Sequence, residues 1–393
     1  MIWYALLIPL LISVVGFFLF RKKIAWWELF VPTGASLLFI VISFYSMKST
    51  TLSDVEYNGY MITEARYYES YDTWVHKICS NTYPCGTYTT GSGKNRTTHT
   101  KYCVDYYDCS YCDHNAARYC MYDTSGAEMS ITELEYNSLI KKWSATPKRV
   151  ELNRNIVYHG GCGKDGDMYT ISWNNKPETS ITTTYTKDFT NILKCNHSAF
   201  NFPVIEPKVA LKKGLYDYPK IGEHHYQNSV LGLDSIQYKN KAYFRAKMNY
   251  LNGMMGEKHK IRVYTLLFKN KDIDVAFLQE AYWDGGNQNE LVICIGVDDY
   301  GNINWVKPFS WTDNKRILVD IREDVSELKT LDTNKIYDVY FTSITKYWKY
   351  KSFKDFNYLS FEPSKGQLIF VYILTFIVSI GVMVWCVMNE IDE

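Results

Sequence analysis

Ile273-Asp-Val-Ala-Phe-Leu-Gln-Glu-Ala-Tyr-Trp-Asp-Gly-Gly-Asn-Gln-Asn-Glu-Leu-Val-Ile-Cys-Ile-Gly-Val297 carries three structural signals in succession. Up to Trp283, apolar residues are spaced as on an amphipathic helix. Asp284-Gly285-Gly286 then stops the helix, because glycine enters backbone conformations that other residues resist. Glu290 to Val297 is a short apolar run with β-branched residues, the pattern of a buried strand. Upstream, Lys241 to Met255 reads as a helix ending at Gly253 or Gly256, and Lys260 to Lys269 as an apolar strand. Downstream, Asp298-Asp299-Tyr300-Gly301 reads as a turn, Asn302 to Pro308 as a paired strand, and Thr312 to Leu328 as a stretch holding one more helix. Helix, strand, helix, strand, turn, strand, helix predicts an α/β sandwich over residues 236–345.

The ends of the chain obey a different solvent. Ile2 to Phe20, Leu29 to Met47 and Gly366 to Met388 contain no charged residue. Each approaches the ~20 residues that cross ~30 Å of hydrocarbon. The expected plan is a transmembrane hairpin over 1–48, a Cys-rich, mostly β region over 49–235, the α/β domain, and a linker with a last transmembrane helix over 346–393. The fold class is thus α+β and membrane-anchored, with the lipid bilayer as its first partner. The basic triplet Arg21-Lys22-Lys23 follows the first apolar run instead of preceding it, which suits a membrane span and not a cleaved signal. A cytoplasmic triplet puts the large domain on the extracytoplasmic side of the inner membrane. A net charge of +1, with no long basic run, argues against nucleic acid as partner.

Of ten cysteines, Cys386 falls in the last apolar run and Cys294 in the buried strand. The other eight are Cys79, Cys85, Cys103, Cys109, Cys112, Cys120, Cys162 and Cys195. Two chemistries fit them. An even number outside the cytoplasm suits a disulfide framework, whereas Cys109-Ser-Tyr-Cys112, with the other pairs and His76, His99 and His114 nearby, suits a structural zinc. Around them, Tyr169-Thr-Ile-Ser-Trp173 and Ser180-Ile-Thr-Thr-Thr-Tyr185 alternate like strands. Ser130 to Ile140 reads as a helix capped by Ser130 with Glu133 at the third position. Gly160-Gly-Cys-Gly-Lys-Asp-Gly166 reads as a hairpin loop.

From Arg262-Val-Tyr-Thr-Leu-Leu267 through Ala276 to Gly296, the second region resembles the TPM domain of membrane-anchored envelope and thylakoid proteins, a likeness of pattern that covers roughly 100 residues, the size of a small domain. The whole outer region also resembles a set of membrane proteins of tailed bacteriophages and bacteria. The markers are Tyr57-Asn-Gly-Tyr60, the cluster Cys79 to Cys120, Thr182 to Asn191, and Trp283 with Ser310-Trp-Thr-Asp-Asn314. The first resemblance implies a calcium-binding or phosphatase-like site, for which Trp283, Asp284, Asp298, Asp299 and Asp313 are the candidates. Read from the residues alone, these aspartates form turns and a helix cap.

GxSxG, HExxH and P-loop motifs are missing from the sequence. His224-His225 lacks matched metal partners, and Asn95-Arg-Thr97 and Asn196-His-Ser198 are glycosylation acceptors in a eukaryotic host. The expected function is an envelope protein with an extracytoplasmic binding or scaffold domain and an envelope or membrane protein as partner. The alternative is a calcium-dependent phosphatase.

Overall fold

The computed structural model describes the chain except residues 1, 21–25, 153–160, 196–201, 222–228, 357 and 390–393, and except the side chains of 194, 195 and 389. The basic triplet, His224-His225, Asn196 and the Cys195 side chain therefore lie outside the described residues. The protein is α+β and divides into two compact units, one formed by Met1–Gly59 with Thr184–Glu393 and the other by Tyr60–Thr183. The division does not fall at residue 235, the boundary expected from sequence. Residues 184–235 belong with the α/β sheet, to which they contribute the edge strand Val230–Leu231 and the buried Ala210 and Leu215.

Among the described residues of the first unit, three helices are long and apolar enough to cross a membrane: Ile2–Leu19, Trp26–Leu52 and Lys365–Met388. Their outward residues are greasy, with Phe18, Leu38, Phe370 and Trp385 exposed. They meet through Ile2, Ala5, Ile40 and Val371 and through a buried hydrogen bond, 2.8 Å, between the Ser36 and Ser379 hydroxyls. Small and hydroxylated residues are what apolar helices use for close contact when water offers no driving force.

The sheet of this unit runs Val230–Leu231, Arg262–Lys269, Glu290–Val297, Ile303–Phe309. The first three strands are parallel and the last antiparallel. Period-two alternation sends Val263, Leu267, Leu291, Ile293 and Ile295 to one face. There they pack on the helices Lys241–His259, Arg316–Glu327 and Thr333–Tyr347. Tyr264, Leu266, Val292 and Cys294 face the other way, onto the helix Asp274–Tyr282 and Ala210. Cover on both faces is why the strands read as unbroken apolar runs. Two buried amides tie backbone to helix. Asn252 donates to the Val263 carbonyl (2.9 Å) and accepts from its N–H (2.7 Å). Gln279 does the same for Tyr216, at 2.9 and 2.8 Å.

The second unit is an antiparallel sheet in the order Glu128–Ile131, Arg118–Asp123, the later part of Ser53–Tyr68, Met168–Ser172, Lys148–Val150. Ile62, Ala65, Met121 and Ile171 pack against Tyr136, Leu139 and Trp143 of the helix Glu133–Trp143. That helix is capped by Thr132 with Glu135 in a capping box, not by Ser130 with Glu133. The reason is that Ser130 is used in the sheet, opposite Cys120. Two further ribbons stand apart from this sheet, Tyr71–Val75 with Tyr111–Asn115 and Ile78–Thr90 with Thr97–Asp108.

Candidate functional site

The carboxylates expected to gather around a cation do not gather. Asp284 precedes the strand Glu290–Val297, and Asp298 and Asp299 follow it; at ~3.3 Å per residue the strand alone separates them by more than 20 Å. Asp298 accepts from the Asn302 side chain (2.6 Å) and backbone N–H (2.8 Å) and from the N–H of Tyr300 (2.8 Å), and these bonds, in that order, hold its carboxyl below the ordinary range. Asp299 is paired with Lys269 at 2.5 Å and Asp313 with Lys351. Turn formation and ion pairing account for these three.

Among the described residues, six cysteines form three bridges: Cys79–Cys109, Cys85–Cys103 and Cys112–Cys162, with Cα separations of 5.7, 5.6 and 5.6 Å. These distances suit disulfides, and a bridged sulfur has no thiolate to give zinc. Cys120 departs from the expected framework. Its thiol is free and buried in the sheet, 3.8 Å from the Arg66 carbonyl, and burial pushes it up. Cys294 is buried in its strand, as expected. Among the described residues, the cluster with metal-ligand chemistry is Asp72, Cys112 and His114, and the bridge to Cys162 removes Cys112 from it. Asp72 acts instead as a latch. It accepts from the N–H groups of Gly163 (3.0 Å) and Lys164 (2.9 Å) and from His114 Nδ1 (2.7 Å). In that order these bonds draw its carboxyl down to about 2. The described part of the glycine-rich loop is therefore a strap tied to Asp72 and Cys112. It lies in the connection between the adjacent antiparallel strands Lys148–Val150 and Met168–Ser172, as a hairpin loop does.

The ribbon Ile78–Thr90 with Thr97–Asp108 is stapled by two of the bridges, and among the described residues each strand of its sheet pairs only with the other. Register places Ile78, Pro84, Tyr102, Val104 and Tyr106 on one face. Tyr106 is 74% exposed, Tyr102 64% and Ile78 63%.

Trp283 and Asp284 belong to a pocket of about 450 Å³, whose wall also includes Asp54, Tyr57, Phe202, Tyr218 and Trp311. Three consecutive left-handed residues, Asp284 (φ 48°), Gly285 (φ 80°) and Gly286 (φ 94°), turn the chain from the helix into this wall. A side chain at Gly285 would press on Trp311 and Phe202. The indole N–H of Trp283 donates to the Tyr216 carbonyl (2.8 Å), and that of Trp311 to the Gly286 carbonyl (3.2 Å). Behind the wall, Arg262 and Glu290 open the two central strands directly opposite each other. Glu290 accepts from the Tyr218 hydroxyl and from the N–H of Asn287 (2.9 Å). Burial raises its carboxyl to about 7, against the pull of Arg262, Tyr218 and Asn287. Burial also raises the Tyr218 and Tyr57 hydroxyls. The guanidinium of Arg262 lies 5.2 Å from the Tyr57 ring and 4.8 Å from the Tyr264 ring.

Sequence reasoning found Trp283 and Asp284 but missed Asp54, Tyr218, Glu290 and Arg262. The signal for Arg262 and Glu290 was a charge at the first position of two otherwise apolar strands. Comparison with protein-family models, with curated proteins and with solved structures gave no match.

Proposed function

We propose that this chain is an integral protein of the inner membrane that presents a disulfide-braced binding or scaffold domain to a protein partner in the cell envelope. The observation that carries this is the stapled ribbon. Among the described residues its strands have open edges, and one face offers Ile78, Pro84, Tyr102, Val104 and Tyr106 to solvent. Isolated two-strand ribbons are marginal in water, so bridges that stiffen one favour a use for its surface. Tyrosine beside unpaired backbone N–H and C=O groups suits a polypeptide partner. Disulfides persist in oxidising compartments, which supports an extracytoplasmic domain held by three spans. The α/β unit is TPM-like in this reading, supported by the helix, Trp-Asp-Gly-Gly turn and buried strand at 274–297.

Sidedness tests this directly. Sealed cells carrying the full chain are reduced with a mild reductant and treated with a membrane-impermeant maleimide. Labelling of Cys79, Cys85, Cys103 and Cys109 in intact cells is the expected result. Labelling that needs permeabilised cells overturns the reading.

A further inference from the structure

We propose that the pocket walled by Asp54, Tyr57, Tyr218, Trp283, Asp284 and Trp311 takes the ammonium end of a phospholipid headgroup. Its place in the fold is the first reason. Asp54 is the second residue after the helix Phe30–Leu52, the end of the second span. Leu52 is buried with Ile192, Leu193, Phe353 and Phe356, and its carbonyl accepts from the N–H of Asn191 at 2.7 Å. Asn191 and Leu193 also line the pocket. Contacting residues thus lead from the end of a membrane-length helix into the cavity, and a helix that spans a bilayer would leave residues just past its end among the headgroups.

Chemistry is the second reason. Among the described residues, five aromatic rings line the cavity, those of Phe202, Tyr57, Tyr218, Trp283 and Trp311, together with the carboxylates Asp54 and Asp284 and no lysine, arginine or histidine. Aromatic faces and carboxylates attract a cation, and this lining opposes a bare anion. Both indole N–H groups are occupied by backbone carbonyls, and the Tyr218 hydroxyl by Glu290. The rings therefore offer π surface and few free donors, which suits an alkylated ammonium better than a polyhydroxyl ligand. Arg262 stands behind Tyr57, outside the lining, opposite Glu290 in the sheet. The volume lies within the ~300–1,000 Å³ usual for small-molecule sites, and Leu193 and Val204 supply an apolar side for the glycerol end.

The test uses the full chain purified in an uncharged detergent and titrated calorimetrically with dihexanoylphosphatidylcholine, phosphocholine and dihexanoylphosphatidylglycerol. Saturable binding of the choline lipid, weaker binding of phosphocholine and none of the glycerol lipid is expected. Asp284→Asn tolerates the left-handed backbone and removes one charge, while Trp311→Leu removes one ring. Each should raise the Kd about 5- to 10-fold while the chain still unfolds cooperatively, with the melting temperature unchanged for Asp284→Asn. Equal affinity for phosphocholine and the lipid overturns the lipid assignment in favour of a soluble amine. Equal affinity for the glycerol lipid, or unaltered affinity in both folded variants, overturns the ammonium site itself. If Trp311→Leu fails to fold, Asp284→Asn decides alone.

Discussion

Glu290→Gln should remove a pH dependence that the wild-type chain carries in its core. The Glu290 carboxyl is fully buried and titrates near 7 in the folded protein, against an ordinary value of 4.5. Below about pH 4.5 it is protonated in both folded and unfolded chains and contributes no pH dependence. Between the two values the unfolded chain releases the proton and the folded chain keeps it, so stability falls as pH rises. Above about 7 the loss is complete and constant. At about 1.4 kcal/mol per pH step, the interval amounts to about 3 kcal/mol. A glutamine keeps the shape and one acceptor, and it does not titrate. Below about 7 the folded Glu290 is itself neutral, so over the tested range the variant takes no charge away from Arg262. The assay is thermal unfolding of the full chain in detergent, followed by tryptophan fluorescence, since Trp283 packs on Tyr218 at 5.2 Å. At about 2–4 °C per kcal/mol, the wild-type melting temperature should fall by about 6–12 °C relative to the variant between pH 4.5 and 7. A difference that stays flat over that range, or that moves in favour of the wild type as pH rises, refutes the reasoning.

Asn252→Leu fills the same space but strands the Val263 N–H and carbonyl in the core, and should cost about 2–4 kcal/mol in denaturant unfolding. Replacing Cys112 and Cys162 together by serine opens a loop of sequence separation 50. The chain-entropy model assigns that loop about 4 kcal/mol, so protease should cut first within residues 111–164. Mass spectrometry after alkylation without reduction should find Cys120 modified only once the chain is unfolded, because its thiol is buried. Asp72→Asn should weaken the strap. In the wild type, the stabilisation from the Asp72 carboxylate is present above its ordinary 3.8 and is lost as pH falls toward about 2. The variant should show no such acid-side loss when protease sensitivity is followed down the same range.

What was legible in the sequence had local causes. Glu290–Val297 was read to the residue, because an apolar β-branched run between a glycine turn and an aspartate turn admits one interpretation. The helices Lys241–His259 and Asp274–Tyr282 were placed by periodicity, and the first extends past both glycines proposed to end it. Gly256 lies inside the helix because it faces the backbone of Gly59, where a side chain would collide at 2.7 Å. Helix Thr333–Tyr347 was missed. Its buried stripe of Ile336, Tyr340, Ser343 and Ile344 mixes polar and apolar residues, and the clue was the Asp332 cap on Asn334 and Lys335. The cysteine pairing was not legible, since pairing follows a register that spacing alone does not encode.

The pocket was illegible for a topological reason. In open α/β sheets ligands usually sit beyond the carboxyl ends of the parallel strands. Here those ends carry Asp298 and Asp299, both occupied by a turn and an ion pair. The amino ends are different, because the segment leaving the second membrane span arrives there. Asn287 donates to the Val55 carbonyl at 2.8 Å, and Asn289 to the Glu56 carboxylate at 3.0 Å. Residues more than 230 positions apart in the chain thus close one wall. A site built on that end depends on the anchor as well as on the sheet. Cutting the chain between Leu52 and Asp54 should therefore abolish ammonium binding even where the helices and sheet of the α/β unit remain folded by circular dichroism. A severed chain that binds as well as the intact one would show that the sheet alone makes the site.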